Sequence, residues 1–216
     1  MIYLCVSDIH GNLDALRAVL ATAEKRSFHR LLVAGDIVFP GPDPHEVWRR
    51  LTAAGAVMVQ GVTDKAITTL IADELPAKTE HEKAMQARMK KTQQELGDVV
   101  LERIRRLPTS VRFPLEDGKE LLLVHGSPHD PHASITHDMD DDELLASLGD
   151  DPADVVICGM SHVPFDRTIA DIRIINVGSV GQAPDGGGDD KQKYAHATWL
   201  ESTPRGVQIE QIVVEL

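Results

Sequence analysis

The sequence contains few residues that support redox or thiolate chemistry. Cys5 and Cys158 are its only cysteines among 216 residues. Both lie inside apolar runs, so we expect buried, reduced and unreactive thiols, and a zinc–thiolate site would need more sulfur ligands. Aromatic residues make up only 4% of the chain. The predicted core is therefore mainly aliphatic.

Positive charge is also scarce. Lys and Arg number 22 against 34 Asp and Glu, which gives a net charge of −12. Such a chain lacks the broad basic surface that nucleic acids and anionic membranes select, so we expect no bulk nucleic-acid binding and no membrane association. No apolar run approaches the ~20 residues of a membrane span. Asp8 and His10 interrupt the N-terminal apolar run before a signal peptide could form, and we expect a cytoplasmic location.

The remaining composition is typical of a globular protein, with 42% hydrophobic and 26% charged residues. The length suits one domain, predicted to span residues 1–216 with a helical insertion at about 64–107. Apolar runs in the first third alternate with helical patterns. The runs are 2–6, 31–34 and 56–59, and the helical patterns are 12–26, with Asn12 as N-cap, and 43–54. This rhythm predicts parallel strands joined by helices.

The middle and the second half differ from this pattern. Between Asp64 and Leu107 the sequence favours helices, interrupted at Pro76 and Gly97. The second half favours strands, including a hairpin with its turn at Asp117-Gly118, and a short acidic helix near 140–148. The predicted strands are 110–115, 119–125, 154–158, 166–170, 172–177, 194–200 and 207–214. Residues 185–190 are predicted to form a glycine-rich loop.

Polar side chains follow six of the predicted strands, which is where ligands bind in open α/β sheets. They include Asp8, His10, Asp36, Thr63, Asp64, His125, His162 and Asn176. Carboxylates and imidazoles that converge without a lysine or arginine indicate a divalent cation, which neutralises the acids and uses the imidazole lone pairs. If the strand alternation continued past its end, Asp8 and His10 would point to the same side.

Each of these residues taken alone has a simpler explanation. Asp8 and Asp36 could be turn or cap residues, and His125 could be a core histidine bonded to the backbone. Their order at successive strand ends favours a metal site. The histidines of the 126–138 loop could overhang that site and contact substrate, or could be solvated; they are His129, His132 and His137. The remaining histidines are expected at helix ends or on surface strands; they are His29, His45, His81 and His196.

The same residues form a set of motifs in a fixed order. They are 7-SDIHGN-12, 35-GDIVFPGPDP-44, 61-GVTD-64, 124-VHGSP-128, 159-GMSH-162 and 176-NVGSVGQ-182. Over nearly its whole length the chain resembles the calcineurin-like metallophosphoesterases, in particular their small bacterial phosphodiesterase and phosphatase branch. The resemblance implies an α/β fold, a four-layer α/β/β/α sandwich of two mixed sheets, with two metals at the strand ends.

The resemblance also implies the ligands of the two metals. The residues at the first-metal positions are Asp8, His10, Asp36 and His162, and all four are of the ligating type. The residues at the second-metal positions are Asp36, Val62, His125 and Met160. Val62 cannot coordinate an ion, and the thioether of Met160 is too soft for Mn²⁺ or Mg²⁺, so both are predicted to be non-ligating. Met160 is instead predicted to fill an apolar gap.

Thr63 stands where many relatives have a proton-donating histidine. The cofactor predicted by this pattern is one firmly bound divalent ion (Mn, Fe, Zn or Ni), with a second ion weak or absent. A second ion could also be held through water and substrate ligands.

Two hypotheses on function follow. In the first, the protein hydrolyses a phosphomonoester or phosphodiester by metal-activated water, with Asp36 and His125 as the catalytic residues. Its substrate would be a small phosphorylated molecule, a nucleotide being one candidate. In the second, an impaired family member binds a nucleotide or phosphorylated ligand, or only a structural metal, without catalysis.

Overall fold

The computed structural model describes residues 1–150, 153–184 and 192–216, and the predicted glycine-rich loop at 185–190 lies outside them. The described residues form two five-stranded sheets. In chain order the strands are β1 (Ile2–Val6), β2 (Arg30–Val33), β3 (Val57–Met58), β4 (Ser110–Pro114), β5 (Glu120–Val124), β6 (Val155–Cys158), β7 (Phe165–Ile169), β8 (Ile172–Asn176), β9 (Tyr194–Thr203) and β10 (Gly206–Glu215).

The first sheet has the order β10-β9-β1-β2-β3. Strands β1, β2 and β3 run parallel, which confirms the predicted β-α-β-α-β unit, and β9 and β10 extend it antiparallel. The second sheet has the order β4-β5-β6-β8-β7, with β5, β6 and β8 parallel and antiparallel hairpins at both edges. Both sheets are therefore mixed, and their parallel strands all deliver their following loops to one edge.

In the described ranges, five α-helices connect these strands. They are α1 (Leu13–Ala23), α2 (Pro44–Ala53), α3 (Val62–Thr69), α4 (Glu80–Arg105) and α5 (Asp141–Leu148), with a short 3₁₀ turn at Ala72–Glu74. Asn12 caps α1 as predicted, because its Oδ1 accepts a hydrogen bond of 3.0 Å from the N–H of Ala15. Gly97 interrupts α4 at φ 67° and ψ 165°, a conformation open essentially to glycine alone.

Three apolar cores separate four layers. One lies between the first sheet and α1–α4, with Leu16 and Trp199 among its residues. A second fills the space between the sheets, and a third lies between the second sheet and α5. This arrangement is the α/β/β/α sandwich that the sequence predicts. The extension of a single domain over 1–216, with 64–107 as an insertion, stays a prediction.

The cysteines are free thiols buried in these cores. Burial and the charge of Asp8 raise the pKa of Cys158 to about 12, and burial raises that of Cys5 further, so both stay protonated at neutral pH. Among the described residues, no helix is long and apolar enough to cross a membrane.

Candidate metal centre

The predicted site residues meet where strands of the two sheets end. The loop after β1 is bonded to the loop after β2, since the N–H of Asp8 donates to Gly35 O (3.0 Å) and that of His10 donates to Asp36 O (2.9 Å). In the second sheet, the N–H of Gly159 donates to His125 O at 2.9 Å. These main-chain bonds hold the residues of four strand ends beside one another.

The local conformation differs from the predicted one. Strand β1 ends at Val6, and Asp8 and His10 have φ angles of 53° and 50°, so the alternation of a strand does not orient them. Their side chains meet because two left-handed residues flank Ile9. The prediction that strand alternation aligns this pair is wrong in its mechanism, although the two side chains do converge.

Left-handed backbone is concentrated at this site. Besides Asp8 and His10, the non-glycine residues with positive φ include Asp36 (51°), Met160 (69°) and His162 (62°). Such a conformation costs about 1–2 kcal/mol per residue for an L-amino acid. It persists only where the surrounding structure compels it, and it clusters at functional sites.

Four side chains form the first cluster. Asp8 Oδ1 lies 3.2 Å from Nε2 of His162 and 3.7 Å from Nε2 of His10. The two Nε2 atoms are 3.3 Å apart, and Asp36 Oδ2 is 3.9 Å from that of His10. Ligand atoms of Asp8, His10 and His162 therefore lie close enough to share one ion, and Asp36 adjoins them.

His125 joins a second, overlapping cluster. One ligand atom each from Asp8, Asp36 and His125 falls within 4.8 Å of the others, and all three residues are buried. Nε2 of His125 lies 3.5 Å from Asp36 Oδ1, which is long for a hydrogen bond. Asp36 thus stands between the two clusters.

Outer hydrogen bonds fix two of the imidazoles. Nδ1 of His10 donates to Phe39 O, and Nδ1 of His125 donates to Ala34 O, each at 2.6 Å. A carbonyl only accepts, so a neutral ring keeps its proton on Nδ1 and turns the lone pair of Nε2 toward the carboxylates. Metal-ligating histidines in proteins commonly have this arrangement.

Two buried polar atoms at the centre have no hydrogen-bond partner among the described residues: Asp8 Oδ1 and His125 Nε2. Leaving such groups unsatisfied costs about 1–3 kcal/mol each, and more when the group is charged. A cation in the first cluster would satisfy Asp8 Oδ1, and a second ion or a phosphoryl oxygen would satisfy His125 Nε2. Carboxylate oxygens with imidazole nitrogens suit divalent Mn, Fe, Zn or Ni, so the residues present fit the metal that the sequence predicts.

In the metal-free state, the charges of the clustered side chains shift one another's pKa values. Burial lowers the pKa of His125, but its contact with Asp36 and the charges of Asp36 and Asp8 outweigh this and raise it to about 9. Burial opposes a low pKa at Asp36, yet His125, His10 and the Thr63 amide hold it below its ordinary value. For His162, burial is outweighed by Asp8, and the pKa is raised. The site attracts positive charge.

Asp64 positions the loop that carries Asp36. It is fully buried, and its carboxylate accepts from the N–H of Ile37 (2.9 Å) and of Gly61 (3.0 Å), which joins the loop after β2 to the start of α3. Burial and the charge of Asp36 raise the pKa of Asp64 to about 7. The sequence placed Asp64 at a strand end but did not reveal this role; its position in the first turn of α3 was the available signal.

Asn176 fixes the loop that carries Met160 and His162. Its Nδ2 donates to Gly159 O (2.6 Å) and Ser161 Oγ (2.9 Å), while its Oδ1 accepts from the N–H of Gly178 (2.9 Å). Three residues on, Ser179 Oγ donates to Asp8 O at 2.9 Å. The 176–182 motif therefore braces the Asp8 loop against the loop that carries His162.

Two glycines allow the main chain to touch the carboxylates. A Cβ at Gly61 would lie 2.2 Å from Asp36 Oδ1, and one at Gly159 would lie 2.6 Å from Asp8 Oδ2. Neither distance is tolerable, so any side chain at these positions would displace a predicted ligand.

The predicted non-ligating positions differ in their surroundings. Val62 begins α3 and is 36% exposed. Met160 engages the site through its main chain, whose N–H donates to Asp8 Oδ2 at 2.9 Å. Elsewhere, His29 Nδ1 accepts from the N–H of Ile2, and His132 contacts Lys65 rather than the ion cluster.

An α/β/β/α sandwich that gathers buried carboxylates and imidazoles at its strand ends is a metal-binding scaffold. Residues 1–199 match the model of the calcineurin-like phosphoesterase superfamily domain, and the chain belongs to that family. The predicted family is thus confirmed.

Known proteins share part of this sequence or this fold. An uncharacterized protein of Methanocaldococcus jannaschii is 27% identical over 199 residues, which cover 84% of this chain and 76% of the relative. The structure of a hypothetical protein from Pyrococcus horikoshii OT3 has a TM-score of 0.82 at 22% identity, covering 99% of this chain and 88% of the other. A metallophosphoesterase from Sphaerobacter thermophilus has a TM-score of 0.73 at 25% identity, covering 100% and 89%.

Proposed function

We propose that the protein hydrolyses a phosphomonoester or phosphodiester with one firmly held divalent ion. The observation that supports this most is the convergence of Asp8, His10 and His162, with Asp36 adjoining, around a buried carboxylate oxygen that lacks a hydrogen-bond partner. An ion bound among these residues would satisfy that oxygen.

In this proposal each side chain has a separate task. Asp8, His10, Asp36 and His162 hold the ion, which when bound supplies Lewis acidity and lowers the pKa of water from ~15.7 toward ~7. Nε2 of His125 is left to contact a phosphoryl oxygen or a weak second ion. Asp36 lies between the two clusters and would orient both the ion and the His125 ring relative to the reacting phosphate.

The absence of two second-site ligands should reduce the rate. A symmetric two-ion clamp contributes several kcal/mol of charge stabilisation in the transition state. Losing about 3–4 kcal/mol would slow the reaction by about 10²–10³, since each 1.36 kcal/mol is tenfold. We therefore expect measurable but modest activity.

The direct test uses bis-p-nitrophenyl phosphate and p-nitrophenyl phosphate with added Mn²⁺, Ni²⁺, Zn²⁺ or Fe²⁺. Turnover that Asp36→Asn abolishes supports the proposal. Asp73→Asn is the matched control, because Asp73 is an exposed partner of Lys90 on the helical segment. If no metal gives turnover and Asp36→Asn changes nothing, the catalytic proposal fails.

A second candidate is a non-catalytic binder of a nucleotide or phosphorylated ligand, or of a structural metal only. It is favoured by the valine at position 62 and by the main-chain contact of Met160, which leave the second cluster with few ligands. The activity of the double variant Val62→Asn with Met160→His distinguishes the enzyme from the non-catalytic binder. A large gain in activity indicates a lapsed second ion site in an enzyme, and no gain indicates a pocket rebuilt for binding.

A further inference from the structure

We propose that Lys65 and His132 form an anion-binding pair at the mouth of the metal centre, which takes a second phosphate of the substrate. The inference rests on the proposed phosphoesterase function and narrows its substrate class. Nζ of Lys65 lies 3.0 Å from Nε2 of His132, and the two residues come from opposite sides of the site.

Lys65 is anchored beside Asp36. Its N–H donates to Gly61 O at 3.0 Å, in the first turn of α3, while the N–H of Thr63 donates to Asp36 Oδ1 at 2.8 Å. Along α3, Asp64 and Ile67 face the core, whereas Val62, Lys65 and Thr69 are exposed. Lys65 therefore lies about one helical turn from Val62, on the same face as this second-metal position.

His132 is anchored beside His125. The loop that follows His125 folds back on itself, so that a Cβ at Gly126 would lie 2.7 Å from Pro131 O and 2.5 Å from Ala133 O. The N–H of His132 donates to Asp130 Oδ1 at 2.9 Å, which fixes the loop at this residue. The ring thus faces α3 across the side of the site where second-metal ligands are missing.

The charge of Lys65 is not balanced by a carboxylate. On the helical segment Lys83 pairs with Glu80, Lys90 with Asp73 and Lys91 with Glu95. Within the described ranges, Lys65 has no such ion pair, and its ammonium donates to an imidazole nitrogen instead. Both side chains are exposed, so an anion could enter between them without displacing a carboxylate, accepting from Nζ of Lys65 and from Nε2 of His132 when the ring carries its proton on Nε2.

The position of the Lys65–His132 pair determines which part of the substrate it would contact. The ion held by the predicted metal ligands at the strand ends would take the oxygens of the reacting phosphoryl group. Lys65 and His132 lie further out on exposed elements, so they would contact a group attached to that phosphoryl. A polar cation and a ring nitrogen favour a second phosphate, as in a nucleoside diphosphate or another pyrophosphate-containing ester.

Inhibition of bis-p-nitrophenyl phosphate hydrolysis by inorganic pyrophosphate and by inorganic phosphate, at fixed free Mn²⁺, tests the pair. In Lys65→Gln and His132→Gln we expect pyrophosphate inhibition to weaken by about tenfold, as for a charge-assisted contact, while phosphate inhibition stays within about twofold. Lys90→Gln is the control and should leave both constants unchanged.

Equal weakening of both inhibitors, or no weakening of either, would overturn the inference. If the wild-type protein shows no turnover, the proposed function fails separately, and calorimetric titration of the manganese-loaded protein still decides the pair. There, a preference for pyrophosphate over phosphate that both variants lose supports it, and the absence of any preference in the wild type contradicts it.

Discussion

The N–H of Met160 donates a hydrogen bond to Oδ2 of Asp8 at 2.9 Å, and this bond leaves Oδ1 to face His10 and His162. Met160 adopts φ 69° to make the contact. A residue at a predicted second-metal position therefore serves the first cluster through its main chain. The bond depends on the backbone conformation and not on the thioether.

Replacing Met160 by glycine should therefore preserve ion binding. The N–H remains, and glycine adopts positive φ without the cost of about 1–2 kcal/mol that other residues bear. We expect Met160→Gly to change the Mn²⁺ dissociation constant by less than about threefold, measured by titration of the metal-free protein.

The neighbouring residue supplies the control. In Gly159→Ala the new Cβ would lie 2.0 Å from Ser7 Oγ and 2.6 Å from Asp8 Oδ2, so the ligand must move. We expect Mn²⁺ affinity to fall by at least about tenfold. Similar losses in both variants would show that the methionine side chain takes part in binding.

Asn176 is predicted to position the His162 loop rather than to contact substrate. Asn176→Asp removes the two N–H donors to Gly159 O and Ser161 Oγ and places a carboxylate in a fully buried position. We expect a loss of about 1–3 kcal/mol in the free energy of unfolding and a weaker, altered visible spectrum of the Co²⁺-substituted protein. The spectrum reports the ligand geometry and is insensitive to stability alone.

The chain's other asparagine gives the matched control. Asn12→Asp keeps the Oδ1 that caps α1 and loses only the two long bonds from Nδ2, to Gly181 O (3.5 Å) and Gln192 Oε1 (3.3 Å), so stability and the Co²⁺ spectrum should both stay close to wild type. An unchanged spectrum in Asn176→Asp, with only stability reduced, would mean that Asn176 supports the fold and not the ligands.

Most of the fold could be predicted from sequence because strong local patterns fixed it. The spacing of Leu13, Leu16 and Leu20 defined α1, and Asp117-Gly118 defined the hairpin of the second sheet. The third strand proved shorter than its apolar run, since only Val57 and Met58 pair with β2. Strand length depends on the neighbour available for pairing, which a single segment does not encode.

The candidate site was predictable in its members but not in its geometry. Asp8 and His10 were expected to share a strand face, yet left-handed turns orient them, and only their long-range contacts sustain that backbone. The 67-residue separation between Lys65 and His132 hides their contact from any local pattern. The assignment of Val62 and Met160 as non-ligating stays a prediction.

The raised pKa of His125 should be visible in the pH dependence of the free energy of unfolding. Its pKa in the folded, metal-free protein is about 9, above the ordinary value, so its stabilising contribution is fully present below about pH 6.5 and is lost as pH rises through about 9. Denaturant unfolding of chelator-treated wild type and His125→Gln should show a difference that shrinks from about pH 6 to about pH 10. A constant difference would contradict the raised pKa.

The affinity for a metal ion should rise with pH, whereas the stabilising contribution of His125 falls. A proton on Nε2 of His125 must leave before that nitrogen can coordinate an ion, so any affinity that involves His125 rises with pH up to about 9. Mn²⁺ bound among Asp8, His10, Asp36 and His162 offsets the carboxylate charges that raise this pKa, so titrations across this range should show proton release that His125→Gln reduces. Proton release that is unaffected by the substitution would place His125 outside the binding site.

The number of ions per chain tests the central claim most directly. Elemental analysis of Mn²⁺-loaded protein, or anomalous scattering from its crystals, should find one ion per chain, held among Asp8, His10, Asp36 and His162, because two second-site ligands are missing. Asp8→Asn should lose that ion. Two well-occupied ions per chain, or none retained by the wild type, would contradict the account.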